Sequence, residues 1–187
     1  MKRFRRIGPT YLQDVGRQFT RQIVVKTFED DQGLVHEFTT YGNEGGQAVF
    51  VVGITSRDTV VMVRQFRPGP EMWLYDFPCG GVEPGETPAY AASREFREET
   101  GYSYEQLEEV GTFYIDAYTN RLCRVYYATG CESTGAQQLD PTEQQQGLER
   151  TEIAITELPG LVMQNKLGYS TPLVLCLERL GLVTWPR

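Results

Sequence analysis

The first half of the chain shows the alternation of apolar and polar residues that predicts β-strands. The strands predicted there are residues 21–28, 34–41, 47–54, 59–66 and 72–77. The first two flank a polar turn that ends at Gly33, which indicates a β-hairpin because glycine readily adopts positive φ. Residues 1–19 show no periodicity, and we expect them to form an arm.

The second half alternates between helical and extended patterns. The predicted helices are residues 89–99, 157–166 and 172–180, and the predicted strands are 109–115, 121–129 and 151–155. Thr171 is the predicted cap of the last helix. Residues 131–147 are polar and rich in glutamine, which indicates a long loop of the kind that often carries function. This order predicts an α+β domain in which helices cover a mixed sheet.

The composition is that of an ordinary globular domain and argues against several classes of protein. The 187 residues carry a formal net charge of −7. This charge argues against an extensive nucleic-acid-binding surface, because such a surface needs clustered Lys and Arg. No apolar run approaches the roughly 18 residues of a transmembrane helix, so no membrane span is expected. The four cysteines show neither CxxC spacing nor a disulfide framework, which predicts reduced thiols and a cytoplasmic protein.

A glycine-rich loop leads into the helix predicted near the centre of the chain. It runs from Gly80 to Glu86. Thr87 can accept a hydrogen bond from an amide of the first turn, and Pro88 suits the first helical position because its missing N–H needs no partner there. Gly101 stands where a left-handed residue is expected to end the helix. The local sequence therefore predicts both ends of this helix.

Three glutamates share one face of this helix within a single turn, namely Glu95, Glu98 and Glu99. Like charges at these spacings repel, and carboxylates in a last turn oppose the helix dipole. The arrangement becomes favourable when a cation lies between them, and hard divalent cations such as Mg²⁺ prefer oxygen ligands. The other interpretation is a solvated acidic helix end, and the spacing alone leaves both open.

The sequence and spacing of the whole motif resemble the Nudix box. Its matching positions are Gly80, Glu86, Arg94, Glu95, Phe96, Glu98, Glu99, Gly101 and Tyr102. Five residues separate Gly80 from Glu86, and seven more precede the pair of Arg94 and Glu95. Phe96 and Tyr102 occupy positions that are aliphatic in the family, which is a mild departure. The resemblance implies a Nudix fold, an α/β/α sandwich around a mixed β-sheet.

The resemblance also implies roles for individual residues, with Mg²⁺ as the cofactor and Mn²⁺ as a substitute. The implied metal ligands are the backbone carbonyl of Cys79 and the side chains of Glu95, Glu98 and Glu99. Glu98 is a catalytic candidate as well. The residues with implied structural roles are Gly80, Glu86, Arg94 and Gly101. Among these, Glu86 and Arg94 are expected to form an ion pair that holds the loop against the helix.

The residues before the box resemble the ADP-ribose pyrophosphatase branch of the family. The resemblance lies in residues 63–67, with the sequence Val-Arg-Gln-Phe-Arg, and in residues 73–78, which lead into the glycines. It implies that Arg67 binds a diphosphate, to which a guanidinium fork is well suited. It also implies a glutamate in the late loop that contacts a metal or activates water. Glu149 has the better offset for this role, and Glu152 is the reserve.

In this branch the N-terminal strands form a small extra antiparallel sheet that crosses to a second subunit. The resemblance therefore implies a homodimer, with residues 1–46 as an arm and β-hairpin for dimerisation and substrate binding. Residues 47–187 would form the Nudix hydrolase domain. The hairpin offers a physical reason as well, because an isolated two-stranded hairpin is marginally stable in water and needs a covering surface.

The implied activity is metal-dependent hydrolysis of the diphosphate linkage in a nucleoside diphosphate sugar, giving a nucleoside monophosphate and a sugar phosphate. Residues 114–121 lack a proline that enzymes specialised for ADP-ribose carry beyond the box, which leaves the sugar half of the substrate open. Tyr118 lies instead near the position of a tyrosine in dinucleoside-polyphosphate hydrolases, the second candidate. A non-catalytic nucleotide-binding Nudix domain is the third, although this chain keeps every box glutamate.

Overall fold

A computed structural model describes residues 4–6, 11–15, 21–42 and 45–184 of the chain. The backbone divides into two compact units. The first comprises residues 1–46 and 114–122, and the second comprises residues 47–113 and 123–187. Among the described residues, none of the helices combines the length and the apolar character that a membrane crossing requires.

The first unit contains a four-stranded antiparallel sheet centred on β3. Its strands are β1 (Phe4–Arg6), β2 (Tyr11–Val15), β3 (Arg21–Asp30) and β4 (Val35–Tyr41). The predicted hairpin is present as β3 and β4, with Phe28 opposite His36. Its turn is closed by the buried Asp30, whose Oδ1 accepts hydrogen bonds from the backbone N–H groups of Gln32 and Leu34. Gly33 has a φ of 80°, as the turn prediction requires.

Within residues 1–19, which we expected to form an arm, the described residues form the two short strands β1 and β2. Strands β1 and β2 both pair with β3, so the hairpin is not isolated. These strands have only 3 and 5 residues, too few for a period-two pattern to stand out in the sequence. Residues 1–3, 7–10 and 16–19 of the predicted arm lie outside the described residues.

The second unit is built on an eight-stranded sheet whose main path runs β10-β11-β5-β6-β12. Its strands are β5 (Gln47–Thr55), β6 (Thr59–Arg67), β7 (Met72–Asp76), β8 (Cys79–Gly81), β9 (Tyr102–Ser103), β10 (Gln106–Tyr114), β11 (Leu122–Ser133) and β12 (Glu149–Ala154). Strand β7 pairs with β6, β8 with β5, and β9 with β11. Its helices are α1 (Pro88–Thr100), α2 (Pro141–Gln145), α3 (Leu158–Met163) and α4 (Thr171–Cys176).

Helices cover both faces of this sheet. Strand β5 shows why, because successive side chains of a strand point to opposite faces. Val49 and Val51 pack in the cluster that contains Phe96 of α1. Phe50 packs instead in the cluster that contains Leu158 of α3, together with buried residues of α4. The predicted α+β Nudix fold, a sandwich around a mixed sheet, is therefore confirmed.

The main corrections to the predicted bounds concern two helices and the long loop. The last helix ends at Cys176 rather than at residue 180, and its N-cap position is Ser170 rather than Thr171. The helix predicted from residue 157 is shorter, because a 3₁₀ turn over Ile155–Glu157 precedes α3. The long loop predicted from residue 131 begins only after Ser133 and contains α2. Short helices carry too few turns for their periodicity to be read from sequence.

Candidate active site

The loop and helix of the motif fold as their local sequence predicts. The Thr87 hydroxyl accepts a hydrogen bond from the Tyr90 N–H at 3.2 Å, and Pro88 is the first residue of α1. Gly101 ends the helix with a φ of 68°, and its N–H donates to the Arg97 carbonyl at 2.7 Å. These caps satisfy backbone groups that have no partner inside a helix. They place the glutamate-bearing face of α1 at a defined position after the loop.

Gly80 is required because the loop passes directly over a carboxylate of the helix. A Cβ at this position would lie 2.0 Å from the carboxyl carbon of Glu95, which is far inside contact distance. Gly80 pairs with Val49 in the sheet, so the backbone cannot retreat without breaking strand pairing. Any side chain here would displace Glu95 from the face that it shares with Glu99.

Arg94 ties the loop to the helix through several hydrogen bonds. Its Nε and Nη2 donate to the two carboxylate oxygens of Glu86 at 2.8 and 3.1 Å, and Nη2 also donates to the Gly81 carbonyl. Its Nη1 donates to Glu95 at 2.9 Å and to Glu98 at 3.2 Å. The hydrogen bonds from Arg94 hold the pKa of Glu86 below its ordinary value. The ion pair that the motif implied is therefore present in the structure.

Three carboxylates converge beside this loop, and they belong to Glu95, Glu99 and Glu143. One oxygen of each lies within 4.8 Å of the others. Glu95 is 8% exposed and Glu99 is 3% exposed, while Glu143 is half-buried. Repelling carboxylates in such a place are costly unless a cation or protons neutralise them. The donor set is all oxygen, which fits a hard divalent cation.

Burial and mutual repulsion act on these carboxyls in the same direction. Burial raises the pKa of Glu99 well above its ordinary value, and the charges of Glu143 and Glu95 add to the rise. The Cys79 N–H, which donates to Glu99 at 3.0 Å, opposes that rise. Burial is also the largest cause of the raised pKa values of Glu95 and Glu143. A bound dication would favour the charged forms, since it supplies the missing positive charge.

The structure brings only part of the predicted acidic set into this cluster. Glu98 is half-buried and accepts a hydrogen bond from Arg94, outside the three clustered carboxylates. Glu149 is exposed at the start of β12, opposite Arg64. Glu152 is engaged elsewhere, because its carboxylate accepts hydrogen bonds from Arg57, Thr59 and Tyr102. Within the described residues, the third carboxylate of the cluster is Glu143, which the sequence analysis did not select.

Glu143 reaches the cluster through a short capped helix. Asp140 accepts a hydrogen bond from the Glu143 N–H, and the Glu143 carboxylate accepts one from the Asp140 N–H, which forms a capping box. The segment before it is fastened to the end of α1, since the Gln138 N–H donates to the Glu98 carbonyl at 2.7 Å. Gln137 donates through Nε2 to the Glu99 carbonyl at 2.6 Å. The sequence Asp-Pro-Thr-Glu at residues 140–143 was the signal that could have revealed this helix.

Arg67 lies near the cluster and is held by a buried carboxylate. Its Nε and Nη2 donate to the Asp76 Oδ2 at 2.9 and 2.6 Å, and Asp76 is fully buried. The charge of Arg67 is close enough to lower the pKa of Glu99. Cys79 is half-buried, and desolvation is the chief cause that raises the pKa of its thiol well above its ordinary value. The backbone of Cys79 lies at the cluster, because its N–H donates to Glu99.

A helix-covered mixed sheet, with a glycine loop leading into a helix of clustered glutamates, defines the Nudix class of fold. A family model described as NUDIX domain matches residues 45–166, and the chain belongs to this family.

Known proteins of related sequence and structure were also found. The chain is 37% identical to the ADP-ribose pyrophosphatase of Bacillus subtilis over 82 residues, which cover 43% of this chain and 44% of that protein. It is 33% identical to the methanol dehydrogenase activator of Bacillus methanolicus over 123 residues, which cover 65% of this chain and 61% of that protein. The matches thus span less than two thirds of either relative. A crystal structure of an ADP compounds hydrolase superposes with a TM-score of 0.74 at 18% identity, covering 95% of this chain and 97% of the other. This similarity shows that the two chains share a fold.

Proposed function

We propose that this protein is a metal-dependent hydrolase that cleaves the diphosphate linkage of a nucleoside diphosphate sugar. The products would be a nucleoside monophosphate and a sugar phosphate. The observation that carries the proposal is the cluster of Glu95, Glu99 and Glu143 beside the loop. Arg67 is close enough to this cluster for its charge to lower the pKa of Glu99. The name of the Bacillus subtilis relative, ADP-ribose pyrophosphatase, supports this class of substrate.

The proposed roles follow from the positions of the side chains. Glu95, Glu99 and Glu143 would hold Mg²⁺, or Mn²⁺ as a substitute, together with the backbone carbonyl of Cys79. The bound cation would screen the diphosphate and stabilise the developing charge. Arg67 would bind phosphate oxygens next to these carboxylates. Gly80 and Gly101, like Glu86 and Arg94, would shape the loop and helix rather than touch the substrate.

The water that attacks the diphosphate needs a base, and a glutamate carboxylate can take this role. Glu143 is the strongest candidate, because its carboxylate is at the cluster and comes from a separate element, α2. Glu98 remains a candidate at the edge of the cluster, held by Arg94. Glu149 and Glu152 become weaker candidates, since neither joins the clustered carboxylates of the described residues.

A substrate panel assayed with Mg²⁺ tests the proposal directly. The panel contains ADP-ribose, ADP-glucose, GDP-mannose, UDP-glucose, NADH, coenzyme A, diadenosine polyphosphates and 8-oxo-dGTP. We expect turnover of at least one sugar nucleotide, and its loss when a chelator removes the metal. Failure to hydrolyse any sugar nucleotide would refute the proposal.

The second candidate, hydrolysis of dinucleoside polyphosphates, is motivated by Tyr118. This side chain is 60% exposed, and its backbone N–H donates to Asp116 in an ordered turn. The same panel separates the two candidates, because diadenosine polyphosphates would then be preferred over every sugar nucleotide. The third candidate is a binding domain without catalysis. Tight nucleotide binding with no hydrolysis under saturating Mg²⁺ or Mn²⁺ would establish it.

We also predict that the protein is a homodimer assembled through its N-terminal sheet. The sheet register places apolar side chains on both faces of the hairpin, with Ile23, Val25 and Val35 on one face and Phe28 and Phe38 on the other. Val35 is 59% exposed and Phe38 is 43% exposed. A second copy of the chain would cover such surfaces reciprocally about a two-fold axis.

Sedimentation of the full chain at micromolar concentration measures this prediction. We expect a dimer, and we expect Phe38→Glu to shift the distribution towards monomer because it places a charge in the contact. A wild-type chain that sediments as a monomer would rule out the dimer. The alternative is that the sheet packs only against its own subunit.

A further inference from the structure

We propose that Asp76 is a positioning residue that fixes the guanidinium of Arg67 for the anionic diphosphate. The inference rests on the proposed function and deepens it. The proposed function assigns no role to the Asp76 carboxylate, although burying a carboxylate is costly. A buried carboxylate is retained more readily when it organises a neighbouring cation.

The geometry of the pair is directional. Nε and Nη2 of Arg67 both donate to the same oxygen of Asp76, Oδ2, at 2.9 and 2.6 Å. The Asp76 side chain is 0% exposed, whereas the Arg67 side chain is 25% exposed. One edge of the guanidinium is therefore committed to the protein interior. Its partial exposure leaves the remainder of the fork accessible to a phosphate, which guanidinium groups bind through paired N–H donors.

The strand register shows what Asp76 does to the direction of this side chain. Arg67 lies opposite Met72 at the end of β6, whereas Asp76 lies opposite Val63. To reach Asp76, the Arg67 side chain must run back along β6 past Gln65 rather than out into solvent. Asp76 lies only three residues before Cys79, whose backbone N–H donates to the clustered Glu99 carboxylate at 3.0 Å. Asp76 thus holds the cation on the side of the acidic cluster.

The second oxygen of Asp76 indicates how tightly the carboxylate is confined. Among the described residues, no donor reaches Oδ1 with full hydrogen-bond geometry, although the Gln65 side chain is close enough to lower the pKa of Asp76. Oδ1 faces Gly168, where a Cβ would lie only 2.1 Å away. Gly168 is itself fastened to β7, since its N–H donates to the Tyr75 carbonyl at 2.9 Å. A side chain at residue 168 would therefore push the carboxylate out of line with Arg67.

Steady-state kinetics on four variants tests the inference, using the best substrate of the panel and saturating Mg²⁺. We expect Asp76→Asn to raise KM by roughly tenfold with a smaller effect on kcat, because the hydrogen bonds to a charged partner are weakened. Arg67→Ala should raise KM at least as much. In the Arg67→Ala background, adding Asp76→Asn should change KM by less than about twofold, since Asp76 acts through Arg67. Gly168→Ala should resemble Asp76→Asn without removing any charge.

The matched control is Glu108→Gln, which breaks an arginine–carboxylate pair on the surface. There Arg179 donates through both Nη atoms to the two Glu108 oxygens at 2.8 Å. We expect this variant to keep the wild-type KM. If Asp76→Asn only lowers the melting temperature while Arg67→Ala raises KM, Asp76 has a structural role and the inference is wrong. Should Asp76→Asn fail to fold, a wild-type KM in Gly168→Ala would overturn it equally.

Failure of the proposed function would be recognised separately. In that case the wild-type protein would turn over no sugar nucleotide at all. The same variants would then be compared for ADP-ribose binding by titration calorimetry with Mg²⁺ present. A roughly tenfold weaker Kd for Asp76→Asn, absent when Arg67 is already alanine, supports the inference. Equal affinity of Asp76→Asn and wild type, or no ADP-ribose binding by wild type, overturns it.

Discussion

Glu99→Gln is expected to abolish turnover while leaving the fold intact. Glutamine keeps the volume of the side chain and can still accept the hydrogen bond that the Cys79 N–H donates at 3.0 Å. It cannot supply the negative charge that a hard cation requires. Losing one group that stabilises charge in a transition state commonly costs about 10²–10³ in rate, and we expect a loss of at least this size.

The same variant should be more stable than wild type when no metal is present. Glu99 is 3% exposed, and both its burial and the neighbouring Glu143 and Glu95 disfavour its charged form. Removing one of three repelling carboxylates relieves that cost, so the melting temperature of the metal-free protein should rise. Added Mg²⁺ should then raise the melting temperature of wild type but not that of Glu99→Gln, because ligand binding stabilises only the state that binds.

Thermal unfolding with and without Mg²⁺ measures both effects, with Glu108→Gln as the control that keeps the metal shift. Activity of Glu99→Gln within threefold of wild type would show that this residue is not a ligand. A Mg²⁺ shift of wild-type size in Glu99→Gln would lead to the same conclusion. The kinetic and thermal measurements are independent, since the second needs no knowledge of the substrate.

The part of the site that lies within one stretch of sequence could be predicted closely. Thr87, Pro88 and Gly101 determine the ends of α1 through local backbone chemistry, and these predictions agree with the structure. The helix period then places Glu95 and Glu99 one turn apart, so their proximity needs no knowledge of the fold. The Glu86–Arg94 pair was accessible for a different reason, because the motif resemblance named both partners.

The parts that depend on contacts distant in sequence could not be predicted in the same way. Glu143 stands 44 positions after Glu99, and its place depends on Gln137 and Gln138 binding the end of α1. Helix α2 has only 5 residues, so hydrophobic periodicity could not indicate it. The Arg67–Asp76 pair likewise depends on the register of β6 and β7, which the sequence leaves open.

For Glu149 and Glu152, strand pairing determines where each side chain lies, and the spacing along the chain that made them catalytic candidates does not. Glu149 precedes the predicted strand 151–155 and Glu152 lies within it, and both are residues of β12, which pairs with β6 from Glu149 to Ala154. Once in the strand, Glu152 lies opposite Val61 and joins Arg57 and Thr59. Its pKa is lowered by these hydrogen-bond partners against the effect of burial, which suits a carboxylate that stays charged in a structural ion pair.

The second large effect is expected for Glu143→Gln, and Glu149→Gln serves as its comparison. Glu143→Gln should lower kcat by about 10²-fold or more, whether the carboxylate binds the cation or activates the water. The reason is its place among the three clustered carboxylates, with a pKa raised mainly by burial. Glu149→Gln should change kcat by less than threefold, because Glu149 is exposed and outside that cluster.

Comparison of these two variants at saturating Mg²⁺ decides which glutamate serves the reaction. Glu143→Gln removes the charge but keeps a side-chain oxygen that can accept the hydrogen bond from the Asp140 N–H. The capping box can therefore still form, and α2 should persist. Circular dichroism and the melting temperature check that it does. A kcat–pH profile adds a second readout, since loss of a base removes the acidic limb of the profile whereas loss of a purely structural contact leaves it in place. A larger loss of kcat in Glu149→Gln than in Glu143→Gln would return the role to the glutamate that the sequence offset favoured.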